Sequence, residues 1–132
     1  ASHLGAEVVI CYKERKKANV IEEMFLIGDV VGKNVILIDD MIDTAGTLCK
    51  AADILIEKGA KSVRAMATHG VLSGKAYENI EKSKISEVIV TDTIPVKAEL
   101  SSKIKVLSCA ELFADVMKMV HEHKSISDKF II

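Results

Sequence analysis

Short apolar runs rich in β-branched residues alternate along this chain with segments whose apolar residues recur at helical spacing. That alternation predicts strands joined through crossover helices, an α/β domain with a mostly parallel sheet flanked by helices. Val8-Val9-Ile10-Cys11 reads as a first strand, the basic stretch beginning at Lys13 as a loop, and Met24-Phe25-Leu26-Ile27 as a second apolar run. After the punctuation of Gly28-Asp29 and Gly32-Lys33-Asn34, Val35-Ile36-Leu37-Ile38 is apolar without alternation, which predicts a central strand buried on both faces. Leu48, Ala51, Ala52 and Leu55 share one helical face, and Gly59 stands where a left-handed residue would end that helix. A strand over 63–67 follows, then a short helix with Ala76, Tyr77 and Ile80 that Ser73 could cap, then a buried strand at Val88-Ile89-Val90. Beyond Pro95, Val106-Leu107 is a last strand, and Ser108 with Glu111 spells a capping box for a helix bearing Leu112, Val116, Met117 and Val120. The closing Phe130-Ile131-Ile132 suggests a tail that docks.

Composition narrows the picture. At 132 residues and 49% hydrophobic content, residues 1–132 are expected to form one domain with its own core. Eighteen basic and nineteen acidic side chains leave a formal charge of −1, so no global field draws the chain to nucleic acid or to an anionic membrane. Any anion must be held locally. Cys11, Cys49 and Cys109 are odd in number and widely spaced, which predicts reduced core residues and a cytoplasmic setting. No apolar run approaches the roughly 18 residues of a membrane span, and residues 1–6 read as neither a leader nor a first element.

The chemistry concentrates after the third apolar run, in Ile38-Asp39-Asp40-Met41-Ile42-Asp43-Thr44-Ala45-Gly46-Thr47. Two adjacent carboxylates at the carboxyl end of a strand stand where open α/β sheets place ligands. Their mutual repulsion calls for satisfaction by sugar hydroxyls, a divalent cation, or both. The small hydroxylic run Asp43, Thr44, Ala45, Gly46 and Thr47 then opens a helix, where free N–H groups and the positive dipole end make a phosphate cradle. Gly46 would let the backbone approach, and Thr44 and Thr47 could donate hydroxyls. The competing reading is that Asp43 or Thr44 merely caps the helix.

This motif resembles the phosphoribosyl pyrophosphate motif of the type I phosphoribosyltransferase fold, in the version typical of the ribose-phosphate pyrophosphokinases. Further matches run from Asn19-Val20 to Gly28-Asp29-Val30, through Ala67-Thr68-His69-Gly70-Val71, and through Val90-Thr91-Asp92-Thr93-Ile94-Pro95. The resemblance covers nearly the whole chain after Ala6. It implies ribose hydroxyls held by Asp39 and Asp40 with magnesium nearby, and the 5-phosphate of ribose 5-phosphate gripped by residues 43–47. It implies ATP as co-substrate, AMP and phosphoribosyl pyrophosphate as products, and a homo-hexamer in the full-length family. It also implies that an N-terminal, ATP-contacting domain and a pyrophosphate-contacting loop lie outside this chain, so that the chain alone is inactive. The rivals are a salvage phosphoribosyltransferase and a non-catalytic regulatory subunit.

Lys13-Glu14-Arg15 matches the family's catalytic Lys-x-Arg spacing, although Glu14 stands where a second basic residue is common. By resemblance, Lys13 and Arg15 would neutralise charge on the moving phosphates. His69 is expected to be hydrogen-bonded within its loop, Thr91-Asp92-Thr93 to act as a strand-end cap, and His121 and His123 to diverge on their helix.

Overall fold

The computed structural model describes residues 5–14 and 23–130, and the side chains among them except those of 11–14 and 23–26. Strands β1 (Ile10–Glu14) and β2 (Glu23–Ile27) pair antiparallel as a two-stranded ribbon. Four parallel strands, β3 (Asn34–Ile42), β4 (Ser62–Gly70), β5 (Ile85–Thr91) and β6 (Ile104–Leu107), form the main sheet in that order. Helix α1 (Gly46–Glu57) crosses from β3 to β4 and α2 (Ala76–Lys82) from β4 to β5, while α3 (Ala110–His121) follows β6.

The core lies between the sheet and the α1–α2 layer. Val63, Ala65, Val88 and Val90 project from the strands onto Ala52, Leu55, Ala76 and Ile80, and all are essentially inaccessible. The alanines are what let α1 and α2 sit close on the strands, so that Leu55 and Ile80 fill the remaining space. Helix α1 ends as its glycine predicts. Gly59 is left-handed at φ 94°, its N–H reaches the Ile56 carbonyl at 3.0 Å, and the Ala60 N–H reaches the Leu55 carbonyl at 3.0 Å. This is a Schellman closure.

The other face of the sheet is uncovered among the described residues. Among the described residues β3 is an edge strand rather than the central strand its apolar run predicts, with Ile36 48% and Ile38 77% exposed. Val35 and Leu37, which alternate with them, pack on the core. Arg64, Glu87 and Lys105 cross the sheet as an ion trio, with contacts of 3.9 and 2.5 Å to Glu87, whose carboxyl is held below its ordinary range chiefly by Lys105. Helix α3 forms where predicted but buries none of its residues. Phe130 is exposed, so the tail is not docked at that residue, and Ile131 and Ile132 lie outside the described residues.

Two caps differ from expectation. Ser73 does not cap α2, whose N-cap is Lys75 and which has no side-chain cap. Nor does Ser108 form a capping box: the N-cap of α3 is Cys109, and the Asp92 carboxylate takes the Cys109 N–H at 2.8 Å from the end of β5. The first strand starts at Ile10 and runs through Lys13 and Glu14, later than the apolar run predicts. Cys49 is buried and Cys109 half-buried, while the side chain of Cys11 lies outside the described set.

Candidate functional site: a carboxylate pair and an uncapped helix start

β3 continues past its apolar run through Asp39, Asp40, Met41 and Ile42, in parallel register with Ala67, His69 and Gly70 of β4. The carboxylates therefore sit inside the last part of the strand rather than beyond it. Strand alternation puts Asp39 on the face of Val35 and Leu37, and Asp40 on the open face with Ile36 and Ile38. Each carboxylate accepts one neighbouring amide, Asp40 N–H to Asp39 at 2.9 Å and Met41 N–H to Asp40 at 2.8 Å. Among the described residues neither has an ion pair with a cation.

The chain then turns at Ala45, which is left-handed at φ 60° and serves as the N-cap of α1 without any side-chain cap. The first helical bond runs from the Cys49 N–H to the Ala45 carbonyl at 2.9 Å. No acidic side chain stands in the first turn. The N–H groups of Gly46, Thr47 and Leu48 are therefore at the positive end of α1 with no side chain capping them, the arrangement that attracts a phosphate. The conformational freedom assigned to Gly46 by its type is instead used at Ala45, since Gly46 does not have a positive φ.

Asp43 does not cap the helix. Its carboxylate accepts the Ser73 hydroxyl, and its carbonyl accepts the Ser73 N–H at 3.2 Å. Asn79 Nδ2 donates to the Thr44 carbonyl at 2.9 Å. Asp39 and residues 41–48 line a concavity of about 190 Å³ that joins the acid to the helix start. A second, more apolar hollow of about 240 Å³ is lined by Ile38, Met66, Ile89 and Leu107 and again by Asp39. Asp39 borders both hollows, and Asp40 borders neither.

A family model described as the phosphoribosyl synthetase-associated domain matches residues 7–131. The chain belongs to that family. Proteins named ribose-phosphate pyrophosphokinase from Wolinella succinogenes and Campylobacter jejuni are 57% and 56% identical over 131 residues, covering 99% of this chain and 42% of each relative. The crystal structure of phosphoribosylpyrophosphate synthetase from Mycobacterium smegmatis superposes with a TM-score of 0.74 at 39% identity, covering 86% of this chain and 37% of that one. This phosphoribosyl synthetase-associated domain thus spans about two-fifths of the length of the relatives it matches. The α/β fold and the resemblance stated from the motif are both upheld.

Within the domain, Lys13 lies in β1 opposite Met24, not in a loop beyond the strand, and its side chain is outside the described set. Arg15 lies outside the described residues altogether. His69 Nδ1 meets Thr93 Oγ1 at 2.8 Å, so it is hydrogen-bonded as expected, but from within β4 to just beyond the end of β5 rather than within its own loop. Thr91 and Thr93 both donate to the Thr68 carbonyl, at 2.6 and 3.1 Å, and hold the ends of β4 and β5 together. Among the described residues no three His, Cys, Asp or Glu side chains cluster around a metal position. The donor set nevertheless suits a hard cation shared with a ligand. Asp39 borders the hollow with one oxygen accepting an amide, and magnesium commonly takes only one or two carboxylates besides its waters and substrate oxygens, whereas Asp40 lies on the opposite face of the strand.

Ser73 and Asn79 were not legible as site residues. Their only sequence signal is that both follow the Thr68-His69-Gly70 strand end, and the long-range contacts to 43 and 44 become visible only once β3 and β4 are paired.

Proposed function

We propose that this chain carries the ribose 5-phosphate site of a ribose-phosphate pyrophosphokinase, whose reaction transfers a diphosphoryl group from ATP to the sugar. The observation that carries the reading is the uncapped start of α1, joined through one hollow to Asp39. A 5-phosphate seats on the amides of residues 46–48 and the hydroxyls of Thr44 and Thr47, and the sugar extends toward Asp39 and Asp40, which take its hydroxyls. Magnesium brought with the substrate would be held by Asp39 at the hollow, with Asp40 as the neighbouring carboxylate, and would neutralise phosphate charge.

In the reaction, the ribose 1-hydroxyl attacks the β-phosphorus of ATP. A new O–P bond forms, the bond from that phosphorus to the α–β bridging oxygen breaks, and AMP leaves with the electron pair. The hydroxyl proton passes to solvent. This chain's part is to fix the acceptor oxygen and align it, a contribution of orientation rather than of covalent chemistry. Lys13 and Arg15 supply positive charge to the diphosphoryl group in flight. The ATP-holding groups belong to the remaining length of a protein like the relatives, a cytoplasmic homo-hexamer with no nucleic acid or membrane partner.

The test is AMP formation from ATP and ribose 5-phosphate. The chain alone yields none, and the chain within a protein of the relatives' full length yields AMP with no requirement for a nucleobase. In that full-length protein Lys13→Ala lowers kcat more than it raises KM. Consumption of phosphoribosyl pyrophosphate with a nucleobase, or no turnover with either substrate pair, contradicts the reading.

A further inference from the structure

We infer that Ser73 and Asn79 are positioning residues that keep the start of α1 open for an anion. Three consecutive residues at the end of β3 are held from one side by the segment after β4. The Leu72 N–H meets the Ile42 carbonyl at 3.0 Å, the Ser73 N–H meets the Asp43 carbonyl at 3.2 Å, and Asn79 Nδ2 meets the Thr44 carbonyl at 2.9 Å. The Ser73 hydroxyl adds a fourth link, to the Asp43 carboxylate. Leu72, buried, is left-handed at φ 48°, and Gly74 at φ 56°. A buried leucine held in that conformation shows that the surrounding packing dictates the shape of this segment.

The consequence is electrostatic. Asp43 stands two residues before the N-cap and carries the acid nearest in sequence to amides that have no side-chain cap of their own. Aspartate readily satisfies helix-start amides, and an aspartate left free there competes with an incoming phosphate for the same donors. The Ser73 hydroxyl occupies that carboxylate and Asn79 fixes the carbonyl of the next residue, so the turn through Ala45 is set before a ligand arrives. Pre-setting the turn lowers the ordering cost of binding. The role in catalysis rests on the ribose 5-phosphate reading, but the claim that these two residues shape the loop does not.

The experiment uses two readouts on the whole chain with Ser73→Ala, Asn79→Asp and Ser73→Thr, each checked for folding by circular dichroism. Nitrogen-15 relaxation without ligand reports the loop itself. Order parameters of the Thr44, Gly46 and Thr47 amides are expected to fall from about 0.85 to below about 0.6 in Ser73→Ala and Asn79→Asp, with Val63 and Val88 unchanged. Calorimetric titration of ribose 5-phosphate with magnesium is expected to show about 10-fold weaker binding in the same two variants, the effect of one lost hydrogen bond. Ser73→Thr, which keeps the hydroxyl, is expected to restore both. Unchanged loop order in Ser73→Ala and Asn79→Asp overturns the inference, as does a Ser73→Thr variant as loose as Ser73→Ala. If the unaltered chain fails to bind ribose 5-phosphate while the loop loosens as expected, the positioning role stands and the functional reading falls.

Discussion

Replacing Lys103 by methionine tests how the layer behind the site is held. The Lys103 ammonium, half-buried just before β6, donates to the carbonyls of Ile80, Glu81 and Ser83 at 3.1, 2.9 and 2.9 Å. These are carbonyls at the end of α2, of which that of Ile80 also accepts the Ser83 N–H at 3.2 Å. Their losses differ. The Ile80 carbonyl keeps the Ser83 hydroxyl at 2.7 Å, and the Glu81 carbonyl is in an exposed bond that water can replace. The part-buried Ser83 carbonyl loses its charged donor, which costs about 1.5 kcal/mol, and the other two together add about 0.5 kcal/mol. The Lys103→Met chain is therefore expected to be about 2 kcal/mol less stable in urea unfolding. Because methionine preserves most of the stem, loss of packing contributes little. The melting midpoint should fall by about 6 °C for a domain of this size. Hydrogen exchange of α2 amides should speed up while those of β4 do not. A loss below about 0.5 kcal/mol, or exchange that rises equally in β4, refutes the view that this one cation anchors α2.

Gly70 lies against β5, where an added Cβ would come within 3.0 Å of Val90 Cγ2 and 3.2 Å of its Cβ, and Val90 is fully buried. Gly70→Ala is accordingly expected to destabilise the chain by about 1–3 kcal/mol in denaturant titration, and an unchanged midpoint would show that Val90 can yield. The Ser108 hydroxyl, and after it the Cys109 N–H, hold the Asp92 carboxyl below its ordinary range. With the folded value depressed, the stabilisation is present above the unfolded aspartate range near about 3.9 and is lost as pH falls through the lower folded value. The Cys109 amide resonance should therefore titrate below the ordinary aspartate range, and a midpoint within that range would contradict the cap. Ala45→Val places a β-branched residue at φ 60° and should cost about 2 kcal/mol or more of stability, read by urea unfolding.

Much of this architecture was legible because local and global preferences agree. The helical spacing of Leu48, Ala51, Ala52 and Leu55 and the glycine after them define α1, and the structure buries the last three, leaves Leu48 half-buried against the core and adds Cys49. The apolar run at 35–38 was misleading for a physical reason. A strand in a sheet with a covered and an uncovered face is expected to alternate, yet Ile36 and Ile38 are apolar and exposed. Their side chains suit a covering that the described residues do not provide, so the pattern encodes a burial that those residues alone do not complete. The same holds for Leu112, Phe113, Met117 and Val120 on α3. At the site, the carboxylates and small-polar run could be read directly because their chemistry is contiguous. Ser73 and Asn79 could not, since they act on residues 30 and 35 positions away. Likewise, capping chemistry misled at Ser73 and Ser108, whose expected roles are displaced by tertiary contacts to Asp43 and from Asp92.

The central claim is that one hollow joins a carboxylate to an open helix start and thereby recognises a sugar phosphate. Calorimetric titration of ribose 5-phosphate into the folded chain with magnesium tests it most directly, with Asp39→Asn, Asp40→Asn and Thr47→Val as comparisons. The account predicts saturable one-to-one binding by the unaltered chain. It predicts weaker binding in each of the three variants, with the aspartate changes losing the dependence on magnesium and Thr47→Val losing affinity for inorganic phosphate as well. Binding that all three substitutions leave intact would place the ligand elsewhere and contradict the account.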